Sequence, residues 1–305
     1  MTHITIGSRG SQLALWQSRW VASELQQRGF TTSIEVVKTT GDKITGVPLS
    51  QIGAAKGLFT KELEDALLDG SIDIAVHSLK DMPTELPNRL ILAATPARED
   101  ARDAIVGKTL QQLSHGAKVG TSSLRRTSQL RHVRPDLIIE SVRGNIDTRL
   151  RKLDEGQYDA ILLAAAGLRR LGWADRIAEL LPVETMCPAV GQGALAIEAR
   201  EDEDSPALQA CRMLEDAATR AAITAERSVL ATLGGGCQVP IGAYATVDGT
   251  RLHLRAVVVA PDGKSAPVVC TLSGDVAAAA ALGREAGEEL LRAGADDILE
   301  AVYGA

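Results

Sequence analysis

Between Lys118 and Lys152 stand nine basic residues, Lys118, Arg125, Arg126, Arg131, Arg134, Arg143, Arg149, Arg151 and Lys152, opposed only by Asp136, Glu140 and Asp147. Their placement matters more than their sum. Gly120-Thr-Ser-Ser-Leu-Arg125-Arg126 reads as a turn that leaves a strand and opens a helix, and Val142-Arg143-Gly144-Asn145 repeats the pattern one unit later. Arg9, in Gly7-Ser-Arg9-Gly-Ser11, occupies an equivalent turn near the N-terminus. Free backbone N–H groups and the helix dipole at such turns favour anions. Arginine adds a planar fork matched to carboxylate or phosphate. One helix arginine alone is ordinarily a solvated side chain, but three strand–turn–helix junctions that all carry one predict a polyanionic ligand.

Two further segments could do chemistry. Ile72-Asp-Ile-Ala-Val-His77-Ser-Leu-Lys80-Asp81-Met-Pro83 runs out of an aliphatic strand into adjacent Lys and Asp. Pro83 blocks a helix there, which leaves Lys80 and Asp81 on a loop at the C-terminal end of the strand. A carboxylate among cations stays ionised and can do acid–base work or stabilise a cation. The alternative is a local surface ion pair of little worth. His77 reads as a packed strand histidine, and the remaining histidines show no metal-ligand spacing.

Leu233-Gly-Gly-Gly-Cys237-Gln-Val-Pro240 sets a thiol at the tip of three glycines, which allow tight turns and close approach by another group. Cys237 is open to two readings: an ordinary structural thiol, or a nucleophile or covalent attachment point. A papain-like arrangement is disfavoured, because the one downstream histidine, His253, lies in an alternating strand.

These residues need a scaffold. The first two thirds alternate strands and helices: strands near Ile4–Gly7, Ser33–Lys38, Ile72–His77, Lys118–Val119, Leu137–Val142 and Asp159–Ala165, and helices near Gln12–Arg28, Thr60–Leu68, Ser123–His132 and Ile146–Asp154. That alternation predicts parallel sheets covered on both faces, with ligands at the crevice beyond the strand C-termini. The polar segment Thr95–Arg102 reads as a crossover between two such units, with a second break near Pro182–Gln192. After about residue 216 the pattern becomes a helix, alternating strands at Ile241–Thr246, Arg251–Ala260 and Val268–Leu272, and a closing helix over about Val276–Ala293. This predicts a small antiparallel α+β domain with turns at Asp248-Gly249 and Asp262-Gly263. The glycine-rich stretch Thr39–Gly57 is long enough to be either a lid or an ordinary surface excursion.

Composition bounds the function. With 305 residues, two or three domains are expected. Aromatics make up only 3% of a chain that is 45% hydrophobic, so the core must be aliphatic. A net charge of −6 disfavours a dedicated nucleic-acid binder, and so few aromatics cannot build a stacking platform. The longest apolar candidate, Ile161–Leu168, is far short of a membrane span. The N-terminus lacks a basic segment followed by an apolar one, so the expectation is a cytoplasmic protein. Four widely spaced cysteines give no CxxC motif and are expected to be reduced.

Taken together, the motifs resemble the porphobilinogen deaminase (hydroxymethylbilane synthase) family. The long signature Glu226-Arg-Ser-Val-Leu-Ala-Thr-Leu-Gly-Gly-Gly-Cys237-Gln-Val-Pro-Ile-Gly242 carries most of the likeness. His77-Ser-Leu-Lys80-Asp81, Gly120–Arg126, Arg143-Gly-Asn145 and Pro188-Ala-Val-Gly-Gln-Gly193 follow in family order. The resemblance implies a transferase that condenses four porphobilinogen molecules head to tail, with loss of ammonia, into a linear tetrapyrrole. It also implies a dipyrromethane primer attached covalently to Cys237. Asp81 would be the catalytic carboxylate. Lys80, Arg125, Arg126, Thr121, Ser122, Ser123 and Gly144 would bind the cofactor, and Arg9, Ser11, Arg143, Arg149, Arg170 and Lys56 the substrate, with Lys56 on the loop over the cleft. No metal is implied, and the expected state is a monomer acting on a small molecule, away from nucleic acid and membrane.

The fold implied is α/β: two domains resembling periplasmic binding proteins, with parallel or mixed sheets, and a small C-terminal domain with an antiparallel sheet. Their bounds would be 1–96 with 194–212, 99–188, and 217–305. The chain departs from common family patterns at Ala54-Ala55, where Gly-Gly is frequent, and at Gln51, where some members carry Lys. Electrostatics supports the assignment: cofactor plus four units bring about twelve carboxylates together, and each close pair costs roughly 4 kcal/mol at 4 Å and an effective dielectric of 20. A dense arginine lining would offset that. The competing reading is a two-lobed, non-catalytic anion-binding protein, which would explain the arginines but neither Cys237 nor Asp81.

Overall fold

The computed structural model describes residues 2–39, 60–235 and 239–303. Most of the stretch 39–57, including Lys56, lies outside them, as does Cys237. In chain order the first elements are β1 (His3–Ser8), α1 (Gln12–Gln27), β2 (Thr31–Val36), α2 (Lys61–Asp69), β3 (Ile74–Ser78), β4 (Leu90–Ala94) and β5 (Asp103–Gly107). Next come β6 (Lys118–Gly120), α3 (Leu124–Val133), β7 (Ile138–Glu140), α4 (Ile146–Asp154), β8 (Ala160–Ala164), α5 (Ala165–Arg170) and β9 (Ile177–Leu180). The rest are β10 (Leu195–Arg200), α6 (Pro206–Arg212), α7 (Ala217–Thr232), β11 (Ile241–Asp248), β12 (Arg251–Val258), β13 (Val268–Asp275), α8 (Ala279–Leu290) and α9 (Asp296–Tyr303). Among the described residues no helix is long and apolar enough to cross a membrane.

The chain forms two compact units, Met1–Glu99 with Ala194–Arg220, and Asp100–Gly193 with Ala221–Ala305. The first is built on a five-stranded sheet of order β2-β1-β3-β10-β4. β1 runs parallel to β2 and β3, while β10 is antiparallel to both its neighbours. The central strands are aliphatic and buried, with Ile4, Ile6 and Ile74 inaccessible to solvent, whereas the edge strand β2 is largely exposed. One face packs with Val21 and Leu25 of α1, the other with Leu63 and Leu67 of α2. Ser11 starts α1 by accepting the Ala14 N–H, and Gly70, at φ +83°, ends α2.

The second unit contains a sheet of order β7-β6-β8-β5-β9, again parallel except for β5, which is antiparallel to β8 and β9. The two sheets therefore share one plan, with an antiparallel strand in the fourth position. The same unit holds the antiparallel sheet β11-β12-β13, whose inward residues Leu252, Leu254 and Ala256 alternate with outward ones and pack against α7 and α8. The turns at Gly249 and Gly263 are left-handed, φ +58° and +69°. Helices α7 and α8 meet at glycine: a Cβ on Gly283 would overlap the Ala225 carbonyl oxygen and lie 2.6 Å from Ser228 Cβ.

The α/β architecture expected from the sequence is found. Strands β4, β5, β9 and β10 go beyond the elements expected from the sequence: β5 and β10 are the antiparallel members, and β4 and β9 each form an edge.

Candidate functional site

In the first unit, β3 delivers the chain into a short 3₁₀ turn, Leu79–Asp81, rather than an open loop. Leu79 is buried and donates its N–H to Ala194 O at 3.1 Å, and the Met82 N–H returns to Leu79 O at 3.1 Å. Between these fixed points Lys80 is exposed and Asp81 half-buried. Ser78, just before the turn, accepts from Gln17 Nε2 of α1 at 2.9 Å. His77 is a packed strand histidine, with Nε2 3.0 Å from Glu198 Oε2. Arg9 is half-buried at the β1–α1 turn, and the Ser11 hydroxyl oxygen accepts the Ala14 N–H at 3.3 Å.

In the second unit, two neighbouring strand–helix junctions come together. At β6–α3, Thr121 is buried, its Oγ1 accepting the Ser123 N–H, and Ser123 in turn caps α3 by accepting the Arg126 N–H. Ser122 Oγ donates to Val142 O at 2.6 Å and lies 2.8 Å from Ser141 Oγ, which ties this junction to the one after β7. There Gly144 takes φ +108°, and a Cβ would meet Thr148 Cγ2 at 2.7 Å, so the position requires glycine. Arg143 and Arg149 are half-buried, with Arg149 Nε donating to Gly144 O at 2.8 Å. Arg170, at the end of α5, donates to Gly193 O at 2.7 Å.

Arg125 and Arg126 differ from the other arginines. Both are buried and share one carboxylate, Asp103. Arg125 Nη1 reaches Asp103 Oδ2 at 2.7 Å and Cys187 O at 2.6 Å; Arg126 Nε reaches Asp103 Oδ1 at 2.9 Å. Gln192, from the Pro188–Gly193 motif, adds a third donor at 3.0 Å. Burial alone would raise the Asp103 pKa; the two guanidinium charges outweigh it and hold the carboxyl far below the ordinary range. One anion against two cations leaves an excess of positive charge in this buried cluster, with Arg125 Nε lacking a hydrogen-bond partner among the described residues. Charge counting over residues 118–152 could not find Asp103, which lies outside that window; only the spatial pairing reveals it.

Glu226 was also hidden inside the long signature. Fully buried on α7, it accepts the Gly191 N–H at 2.7 Å and the Ala245 N–H at 2.8 Å. It thereby pins the turn before β10 and strand β11 to the helix that precedes the glycine run. The three described cysteines, Cys187, Cys211 and Cys270, are buried free thiols. Burial pushes each up to about 12, so none is a ready nucleophile.

Comparison with known proteins shows the family. Residues 4–207 match the family model described as porphobilinogen deaminase, dipyrromethane cofactor binding domain, and residues 220–292 match the porphobilinogen deaminase C-terminal domain. The porphobilinogen deaminase of Trichlorobacter lovleyi is 50% identical over 304 residues, covering 98% of this chain and 96% of that one. That of Syntrophotalea carbinolica is 51% identical with the same coverage. Among solved structures, the methionine binding protein MetQ shares 14% identity over 70% of this chain and 89% of that one, with a TM-score of 0.45. A likeness at that level carries no functional inference.

Proposed function

This chain belongs to the porphobilinogen deaminase family, and from that premise we propose which of its residues carry the family's chemistry. The activity is condensation of four porphobilinogen molecules, head to tail and with loss of ammonia, into the linear tetrapyrrole hydroxymethylbilane. The dipyrromethane primer supplies, when bound, the pyrrole carbon from which the product is extended. Its attachment point on this reading is Cys237, the cysteine of the glycine-rich signature that resembles the family's; the three described thiols are buried and high in pKa, which accords with it.

The donor chemistry fits such a group. Each pyrrole unit carries two carboxylates, and the observation that bears most weight is the pair of junctions joined through Ser122. There Arg143 and Arg149 offer guanidinium forks, Thr121 and Ser123 add hydroxyls at the start of α3, Ser122 gives its own O–H to Val142 O and so ties the junctions together, and Gly144 allows close approach. Arg170, Arg9, Ser11 and Lys56 extend the same role to substrate carboxylates, and Lys80 to the cofactor. Arg125 and Arg126 act from within the interior, their excess charge over Asp103 favouring an anion nearby.

Asp81 is the catalytic carboxylate. On its short turn it accepts hydrogen bonds from, and stabilises positive charge on, a pyrrole nitrogen as the amino group leaves and the carbon–carbon bond forms. The same reading makes the chain a cytoplasmic monomer of three domains, 1–96 with 194–212, 99–188, and 217–305. The test is Asp81→Asn in the holoenzyme: cofactor loading retained, and turnover of porphobilinogen lowered by at least about a hundredfold. Near-parental turnover would remove Asp81 from this role.

A further inference from the structure

The strand that ends at the Lys80–Asp81 turn carries a buried ionisable cluster that core packing does not explain. In the β3–β10 register His77 opposes Ala196 and Ala75 opposes Glu198, so His77 and Glu198 are diagonal neighbours on one face of the sheet. Their side chains meet at 3.0 Å, His77 at 5% exposure and Glu198 at 0%. Helix α2 covers this face, with Leu63 and Leu67 packed beside Ala75, and it brings in buried Glu64. Oε1 of Glu198 and Oε1 of Glu64 are buried with no hydrogen-bond partner among the described residues. Burial raises the Glu64 carboxyl above its ordinary range, and the charge of Glu198 adds to this. The other charged residues on these elements are Lys61, Glu62, Asp65 and Asp69 of α2 and Arg200 of β10, the last of which turns to the carbonyls of Leu67 and Ile72 and to Asp73.

Two carboxylates and an imidazole in an aliphatic core are destabilising relative to well-packed apolar side chains. Such costs concentrate where function demands a fixed geometry. The location here is specific. One residue after His77, Ser78 is held from the opposite face by Gln17, and the Leu79 N–H is held by Ala194 O. The end of β3 is gripped on both faces and at its edge immediately before Asp81.

We propose that His77 and Glu198 are positioning residues for Asp81. Their hydrogen bond fixes the end of β3, and with it the direction in which the 79–81 turn presents the carboxylate. Neither needs to touch substrate. The inference rests on the reading of Asp81 as the catalytic carboxylate.

The test compares steady-state kinetics of holoenzyme variants, corrected to the folded fraction. His77→Gln places an amide nitrogen about as far from the backbone as Nε2, whereas His77→Asn falls short. A misplacement on the order of 1 Å is costly to catalysis. His77→Asn is therefore expected to lower kcat about tenfold with KM within about twofold of the parent, and His77→Gln to stay within about threefold of parental kcat. Equal kcat per folded molecule in both variants and the parent would overturn the proposal, since a purely structural histidine changes only how much protein folds. If His77→Asn fails to fold, Glu198→Gln against Glu198→Leu makes the same comparison from the other partner: the first retains turnover, the second loses it, and equality overturns the proposal. Asp81→Asn run alongside separates the two failures. Near-parental turnover there overturns the reading of Asp81 and the positioning proposal with it, whereas a dead Asp81→Asn with parental His77 and Glu198 variants overturns the positioning proposal alone.

Discussion

Arg125 Nη1 lies 2.7 Å from Asp103 Oδ2 with both side chains buried, and Arg126 closes on the other oxygen of the same carboxylate. Among the described residues Asp103 is thus the anion that holds both interior guanidinium groups. Removing its charge with Asp103→Asn is expected to cost about 3–5 kcal/mol, the range for breaking a buried ion pair from one side. The sign of the pH dependence follows. The folded-state pKa is depressed, so the stabilisation is complete above the unfolded value of about 4 and is lost as pH falls through it toward the folded value. The difference in urea midpoint between parent and Asp103→Asn should stay constant from about pH 7 to about pH 5 and narrow by about pH 3. A difference that does not narrow would show that Asp103 acts by shape and not by charge.

Arg143 and Arg292 give a paired test of the carboxylate-binding lining. Arg143 is half-buried at the β7–α4 junction, and Arg292 is exposed beyond α8. Arg143→Leu should raise KM for porphobilinogen or slow elongation by about tenfold or more, the worth of one charge-assisted hydrogen bond. Arg292→Leu should leave both parental. Equal effects would argue against a specific polyanion site.

Gly283 tests the α7–α8 packing against intrinsic propensity. Alanine in a helix is favoured over glycine by about 1 kcal/mol, so propensity alone predicts that Gly283→Ala stabilises. The added Cβ would instead overlap the Ala225 carbonyl oxygen and crowd Ser228. Thermal unfolding should show a lowered Tm, and a raised one would mean that the helices separate at little cost.

What the sequence reveals follows from how local each signal is. The start of α1 after Ser11, the glycine turns at Gly249 and Gly263, and the extent of α4 depend on near neighbours and are legible, whereas Ser123, read as the first helical residue, is the cap of α3. Strand β10 was not: it is buried on both faces, so it lacks a period-two pattern, and its partner β3 lies more than a hundred residues earlier. The site divides the same way. The Arg143-Gly144 junction could be read from one segment, but the pairing of Arg125 and Arg126 with Asp103, and of His77 with Glu198, exists only once distant strands are neighbours.

The most direct test of the account is the intact mass of the purified chain beside that of Cys237→Ser. The parent should carry a covalent mass excess equal to one dipyrromethane. Cys237→Ser should run at its bare sequence mass and fail to turn over porphobilinogen, because buried Cys187, Cys211 and Cys270 offer no substitute thiol. An active parent at its bare sequence mass, or a Cys237→Ser chain that keeps the excess, would contradict it.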